Sequence, residues 1–323
     1  MKKIWLFMLL ISCTAANDPI PGWYLNPPQN NTSYLYGVGY GTSLDQATKI
    51  ALNNIAEKIS VTVSSSFATS KQESAVNDQA LYEAEYEQDI NSTVQEINFT
   101  NYQTEKSEQV GEYIYSLVKV ARSEVINNYM KQIENIDKDI SLVLKDMEKQ
   151  SIIEQFARLY RVSDKIRVNE VNLKIVETIE KSDMKVKDYY DKYDNLLKLE
   201  AQIKNNIVIK IIAKLSDEKV IEVISKAIND LNIKSGKILD PKNKGHALLR
   251  VVTDTKHEKI YGVYLAKIKV EMKLLENFGN QISSGFIEVS GSSAISSVGA
   301  VDAAIADLRN KIQQQGLLNI IGL

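Results

Sequence analysis

A strand, a turn and a helix are predicted in succession by residues 34–59, YLYGVGYGTSLDQATKIALNNIAEKI. Glycines alternate with larger side chains over residues 34–40, which predicts a short strand. The next four residues, SLDQ, have the pattern of a capping box, with Ser43 as the N-cap and Gln46 at N3. Small and apolar residues then recur every four positions and predict a helix with one apolar face: Ala47, Ala51, Ile55 and Ile59.

The chain following this stretch predicts more strands up to residue 122. From Ile59 to Phe67 the apolar period changes to two, which favours a strand. Residues 71–93 are acidic and ambiguous, whereas 94–104 and 110–122 read as two paired strands. Residues 34–122 are therefore predicted to form one small module of strands and a helix.

Residues 123–204 have a different pattern. Apolar residues recur at spacings of three and four from Ile126 to Met147, as in a helix that is packed along its length. This span contains no proline and no glycine. It predicts a helical hairpin or a three-helix bundle.

The last stretch, residues 205–323, returns to a mixed pattern. Strands are predicted at 207–213, 233–239, 247–252, 261–275 and 282–289, with helices after Ser216 and over residues 296–315. This order predicts a sheet that two helices cover on one side, with the opposite face free for a partner. The predicted fold class is α+β, with two small sheet-and-helix modules separated by a long helical hairpin or bundle.

The N-terminus has the features of a secretory signal peptide. Two lysines at positions 2 and 3 precede an apolar run over residues 4–11, which is too short to span a bilayer. Residues 10–13 read LISC, and Cys13 is the only cysteine of the chain. This segment resembles a bacterial lipobox, which implies that residues 1–12 are removed and that Cys13 is acylated, with chains such as palmitate. The alternative is a signal peptide that happens to contain a cysteine.

Residues 14–33 follow as a predicted extended tether, because they are rich in asparagine and proline. Trp23 and Tyr24 interrupt this composition and are expected to dock on the first module. The whole chain has a net charge of −2 and a pI near 5.9, without the basic stripe that is typical of nucleic-acid binders. The lone cysteine excludes a disulfide within the chain.

Several motifs of the first module resemble the LPP-twenty lipoprotein family, a Helicobacter-type small envelope lipoprotein module. These are PGWY at 21–24, LYGVGYG at 35–41, the alanine-bearing helix through Ala56, and GEYIYSL at 111–117. The resemblance covers roughly residues 20–122. It implies an envelope lipoprotein; some relatives belong to basal structures of the flagellum, and the family offers no catalytic motif to carry over.

Other chemistry is sparse in the sequence. Gly37 and Gly39 begin a dinucleotide-like pattern whose third glycine would fall at Thr42, so close packing explains them better. His246 and His257 lack a second ligand at metal spacing, and no nucleophile–base set is visible. We therefore predict no catalytic residue, cofactor or metal site. One exception stays open: if residues 82–90 form a strand, Glu83, Glu85, Glu87 and Asp89 share one face and would suit calcium, although solvated acidic surface is the simpler interpretation.

The sequence thus predicts a non-enzymatic lipoprotein of the bacterial outer membrane, facing the periplasm or the cell surface. Its expected partners are the membrane, through the lipid on Cys13, and other envelope proteins or a second copy. Its expected role is structural or in assembly, for example at the flagellum. The alternatives are a surface-exposed adhesin-like protein and a small-ligand or calcium-binding lipoprotein. The residue after Cys13 is Thr14 and not aspartate, which by resemblance to the enterobacterial sorting pattern favours the outer membrane.

Overall fold

The computed structural model describes residues 19–72, 99, 101–180, 184–236, 239–240, 242–276 and 279–323. Contacts divide the chain into two compact units. The first comprises Met1–Glu134 and Val168–Val186, and the second comprises Asn135–Arg167 and Lys187–Leu323. Among the described residues each unit combines one sheet with helices, so the α+β prediction is confirmed.

The first unit begins with a short helix and the strand–turn–helix stretch. Its elements are α1 (Gly22–Leu25), β1 (Tyr34–Gly41), α2 (Leu44–Gln72), β2 (Tyr102–Val110) and β3 (Tyr113–Ala121). Three further helices each contribute residues to both units: α3 (Arg122–Leu144), α4 (Ile152–Glu180) and α5 (Met184–Asn205).

The three described strands of the first unit form an antiparallel sheet in the order β1-β3-β2. Helix α2 covers one face of this sheet. A side chain on Gly37 would overlap the carbonyl oxygen of Ala51, and one on Gly39 would overlap that of Ala47. Close packing of the strand on the helix therefore requires these glycines, as the sequence predicts.

The turn into α2 contains the predicted cap. The backbone N–H of Gln46 donates to Ser43 Oγ at 3.2 Å, and Gln46 Oε1 accepts from the backbone N–H of Thr42 at 2.9 Å. The predicted strand over 59–67 is wrong, because α2 continues to Gln72. Ile59 and Val63 extend the four-residue apolar face and are buried, whereas Val61 is 70% exposed on the outer side.

Strand β2 lies later than the sequence predicts, at Tyr102–Val110 in place of 94–104. Residues 94–98 and 100 lie outside the described residues. The strand is exposed along almost its whole length and carries polar side chains, so it has no apolar pattern to locate it. Such a polar surface is typical of an edge strand.

Residues 21–33 differ from the predicted extended tether. Pro21 is buried, and residues 22–25 form α1. Asn30 Oδ1 accepts from the backbone N–H of Tyr36, and Asn31 Oδ1 accepts from that of Tyr34, both at 2.8 Å. These hydrogen bonds attach the segment to β1, so it belongs to the first unit.

The second unit contains the larger described sheet. After α5 its elements are β4 (Val208–Ile212), α6 (Glu218–Asp230), β5 (Lys234–Ser235), β6 (His246–Ile260), β7 (Val263–Glu276), β8 (Gln281–Ser293), α7 (Ser297–Gln315) and α8 (Leu317–Ile320). The strand order is β5-β4-β6-β7-β8, and β4 pairs in parallel with both neighbours. The other pairs are antiparallel.

Helices α6 and α7 bury apolar side chains in one core with this sheet. Burial alternates along β7, where Val270, Met272 and Leu274 are buried and the residues between them face outward. Strand β6 continues to Ile260, beyond the predicted end at residue 252, so His257 lies within the strand and pairs with Ala266. The polar residues at 253–260 gave no apolar pattern from which to predict this extension.

Candidate functional site

Two sequence-predicted sites fall outside the described residues. These are the lipidation site Cys13 and the acidic cluster from Glu83 to Asp89. Acylation of Cys13 and binding of a cation by the cluster both remain predictions. No helix of the described part of the chain is long and apolar enough to cross a membrane.

The two histidines lie in the second unit. His246 begins β6, and its Nδ1 accepts from the backbone N–H of Asp240 at 2.7 Å. His257 lies eleven positions further along the same strand. Over the ranges that the structure describes, no cluster of histidine, cysteine, aspartate and glutamate has a metal-binding arrangement.

A group of rings at one end of the first sheet forms what we call the aromatic patch: Trp23, Tyr24, Tyr40, Tyr113 and Tyr115. The ring of Tyr24 meets that of Tyr115 edge-on, with centroids 4.8 Å apart. The ring centroids of Trp23 and Tyr40 lie 6.4 and 6.2 Å from that of Tyr24. The ring of Tyr40 also lies 5.7 Å from Tyr113 and 5.9 Å from Tyr115. The predicted docking of Trp23 and Tyr24 on the first module is what completes this patch.

The patch has a buried base and an exposed rim. Tyr115 is 8% exposed, whereas Tyr40 and Tyr113 are 47% and 45% exposed. Burial raises the pKa of Tyr24, and the nearby Tyr40 and Tyr115 phenols add to the rise. Tyr24 is therefore uncharged at neutral pH. The rim, formed by Tyr40 and Tyr113, presents aromatic surface. Two exposed leucines extend it: Leu25, which follows Tyr24, and Leu44, at the start of α2.

The first unit also contains an open cleft of about 610 Å³. It lies between β1, α2 and the residues of α3 and α4 that belong to this unit. Its polar lining includes two cations, Lys58 and Arg122, together with Asn54 and Glu57. Sequence reasoning missed this site, because its residues lie far apart in the chain and no motif connects them.

The two cations of the cleft contact backbone oxygens. Lys58 Nζ donates to the carbonyl oxygen of Tyr36 at 3.1 Å, and the Arg122 guanidinium donates to that of Ile179. Burial lowers the pKa of Lys58 and of Arg122. Arg122 Nε and Asn54 Oδ1 are buried and have no hydrogen-bond partner among the described residues. The cleft therefore has positive charge and an unused donor and acceptor.

The second unit presents a charged sheet face on the side opposite α7. Lys269 forms an ion pair with Glu271 at 2.8 Å, and its ammonium lies 4.9 Å from the ring centroid of Phe286, which is 60% exposed. The hydrogen bond and the charge of the partner raise the pKa of Lys269 and lower that of Glu271. This face corresponds to the one that the sequence predicts to be free.

Comparison with solved structures finds matches of low sequence identity. The secreted protein HP1454 from Helicobacter pylori is 13% identical, with a TM-score of 0.46, and the match covers 88% of this chain and 98% of that one. A minor lipoprotein from Acinetobacter baumannii is 13% identical, with a TM-score of 0.28, over 33% of this chain and 90% of that one. Lipoprotein GNA1162 from Neisseria meningitidis is 10% identical, with a TM-score of 0.24, over 33% and 99%.

No curated protein matches the chain. A family model does match. Its range includes α1, all five residues of the aromatic patch and the three described strands of the first sheet. The predicted resemblance of the N-terminal part is thereby confirmed: residues 21–121 match the model of the LPP20 lipoprotein.

Proposed function

We propose that the chain is a lipid-anchored protein of the bacterial envelope that works through protein–protein contacts and not through catalysis. The match of residues 21–121 to the LPP20 lipoprotein carries this proposal. It begins eight residues after Cys13, which has the lipobox-like sequence on its N-terminal side. A lipoprotein module directly downstream of an acylation site is the arrangement that an anchored protein needs.

The proposed role is structural or in assembly, as an accessory of an envelope machine such as the flagellum. The charged face of the second sheet supports a contact role, because it offers ion-pairing groups and exposed apolar side chains together. Thr14 supports the outer membrane as the destination. Two or three acyl chains would hold the protein there, since each buried methylene contributes about 0.8 kcal/mol.

Fractionation of cells tests the anchoring. Cys13→Ser should move the protein from the envelope fraction to the soluble fraction, while the neighbouring Thr14→Ser should leave it in the envelope. Equal sedimentation of the Cys13→Ser variant and the parent would contradict the proposal. Thr14→Asp sharpens the test, because it should shift the protein from the outer to the inner membrane if the enterobacterial sorting pattern applies.

The contact role has its own test. Chemical crosslinking in intact cells, followed by purification of the acylated protein, should recover a defined larger envelope complex. Protease treatment of intact cells separates this role from that of an adhesin, because a chain that faces the periplasm survives it. Complete digestion from outside would favour the adhesin-like alternative.

The cleft of the first unit supports a second candidate function, the binding of a small ligand that carries a phosphate or carboxylate and a hydroxyl. Partial burial lowers the pKa of the cations Lys58 and Arg122, and neither has a carboxylate at ion-pair distance among the described residues. The unpartnered Arg122 Nε matches an anionic oxygen, and the unpartnered Asn54 Oδ1 matches a hydroxyl.

Calorimetric titration with inorganic phosphate and pyrophosphate tests this second function. Binding heat should be lost in Lys58→Gln and Arg122→Gln and kept in Lys106→Gln, whose lysine is exposed on β2 outside the cleft. Absence of heat with the parent protein, or equal heat with all three variants, would remove this candidate.

A further inference from the structure

We propose that the aromatic patch of the first unit lies against the headgroup region of the bilayer that holds the lipid anchor. This inference rests on the proposed acylation of Cys13 and adds the face that the module turns toward the membrane. It concerns a neutral lipid surface, recognised through the exposed rim of Tyr40, Tyr113, Leu25 and Leu44 and through Trp23.

The length of chain between the anchor and the first unit limits their separation. Pro21 is already buried in the unit, so at most residues 14–20 can serve as a free connection. Seven residues of fully extended chain span at most about 25 Å. The predicted tether of residues 14–33 would have allowed about 70 Å. The docking of residues 21–33 therefore confines the first unit to the neighbourhood of the bilayer.

The patch lies where this short connection enters the unit. Trp23 follows the buried Pro21 by two residues and donates through its Nε1 to Glu108 Oε2 at 3.3 Å. Tyr40 is at the end of β1 and Tyr113 at the start of β3, so both belong to one end of the sheet. Leu44 begins α2 at that same end. The end nearest to the anchor is thus the end that exposes aromatic and apolar surface.

The chemistry of the patch fits the interface of a bilayer. Tyrosine and tryptophan have an apolar body and a polar tip, and they are enriched where lipid meets water. Exposed acidic residues adjoin the patch in the chain or contact it: Asp45 follows Leu44, Glu112 precedes Tyr113, and Glu108 accepts from Trp23. We therefore expect closer contact with zwitterionic lipids than with anionic ones, because like charges repel.

Tryptophan fluorescence offers a direct test. The chain has two tryptophans, and Trp5 is lost with the predicted leader, so Trp23 is the only one in the mature protein. The acylated full chain is to be reconstituted in phosphatidylethanolamine–phosphatidylcholine vesicles that contain brominated lipids. We expect a blue-shifted Trp23 emission, quenched more strongly by bromines near the headgroups than by bromines near the bilayer centre. Adding anionic lipid should weaken the quenching.

Variants separate this inference from the anchoring itself. Tyr113→Ser and Leu25→Ser should at least halve the quenching while the protein still sediments with the vesicles. The matched control is Tyr102→Ser, because Tyr102 is 43% exposed at the other end of the sheet, opposite Val120. The inference would be overturned if the protein binds vesicles but its Trp23 fluorescence is quenched by iodide in the water and not by the brominated lipids. The anchoring would then stay intact. Failure of the parent protein to sediment with vesicles would overturn both.

Discussion

Inner strands of the two sheets are buried in different ways. On β3 of the first unit four consecutive residues, Tyr115 to Val118, are buried. On β7 of the second unit burial alternates, with Met272 and Leu274 inside and Lys273 outside. A strand is buried at every position only when both faces of its sheet are covered. Helix α2 covers one face of the first sheet, and the N-terminal segment with Tyr24 packs on the other.

This difference indicates that the two units offer different surfaces to a partner. The first sheet uses both faces for its own core and exposes the clustered rings of the aromatic patch at one end. The second sheet uses one face for its core and leaves a charged face in water, with lysines at positions 267, 269 and 273. The first surface suits the lipid–water interface and the second suits a soluble protein.

The tight contact of the first sheet with α2 gives the largest expected effect. Gly39→Ala should destabilise the first unit by about 3 kcal/mol, because the added methyl overlaps the backbone of α2 and forces strand and helix apart. Urea unfolding followed by Trp23 fluorescence reports on this unit. Gly22→Ala is the control, since its methyl meets no atom within 4 Å and should be close to neutral. Similar unfolding midpoints for both variants would refute the close packing.

The burial pattern is tested by substituting adjacent residues on β3 and on β7. Leu117→Ala and Val118→Ala on β3 should each cost about 2–3 kcal/mol, because both side chains are fully buried. On β7 only Leu274→Ala should cost as much, while Lys273→Ala should stay within about 0.5 kcal/mol. Chemical denaturation measures all four values. A nearly neutral Leu117→Ala would mean that the second face of the first sheet is open.

Secondary structure is predictable from the sequence where a regular apolar spacing directly follows a helix-capping residue. The sequence predicts the starts of the helices that follow Ser43 and Ser296 to within a residue, although not the end of the first one at Gln72. The alternation of Ile59, Val61 and Val63 predicts a strand, but Ile59 and Val63 also continue the four-residue apolar spacing of α2. Because that face is buried on the sheet, the segment is helical. Strand β2 and the outer half of β6 are exposed and polar, so backbone pairing alone defines them.

The sites were less predictable than the fold. The docking of Trp23 and Tyr24 was expected from their composition, yet the patch needs the pairing of β1 with β3, which places Tyr40 opposite Tyr115. The cleft cations Lys58 and Arg122 come together only through tertiary structure. Neither the aromatic patch nor the pair of cleft cations is encoded by one local motif, so each becomes visible only in the folded chain.

Helix caps provide a comparison at matched positions in the two units. Ser43 accepts from the backbone N–H of Gln46, and Ser296 accepts from that of Gly299 at 3.1 Å. Ser43→Ala and Ser296→Ala should each cost about 1 kcal/mol in thermal or urea unfolding, whatever the arrangement of the sheet. Ser297→Ala, in the first turn of α7, is the control and should cost much less. A cost confined to one of the two caps would show that the caps are not equivalent.

The smallest effect concerns a partly buried acid of the second unit. Burial raises the pKa of Glu200 above its usual value, and the nearby Asp164 adds to the rise while Lys204 opposes it. A raised folded-state pKa means that the folded state favours the protonated acid, so stability is lost as pH rises through that pKa. Glu200→Gln should therefore raise Tm by about 1–2 °C at pH 7, with no gain near pH 4. Equal effects at both pH values would contradict this assignment.

The central claim, that fatty chains on Cys13 hold this protein at a membrane, is tested most directly by mass spectrometry of the mature protein from its own envelope. We predict an N-terminal peptide that begins at Cys13 and carries covalent acyl groups, with residues 1–12 absent. A mature N-terminus at another residue, or a free thiol on Cys13, would contradict the account.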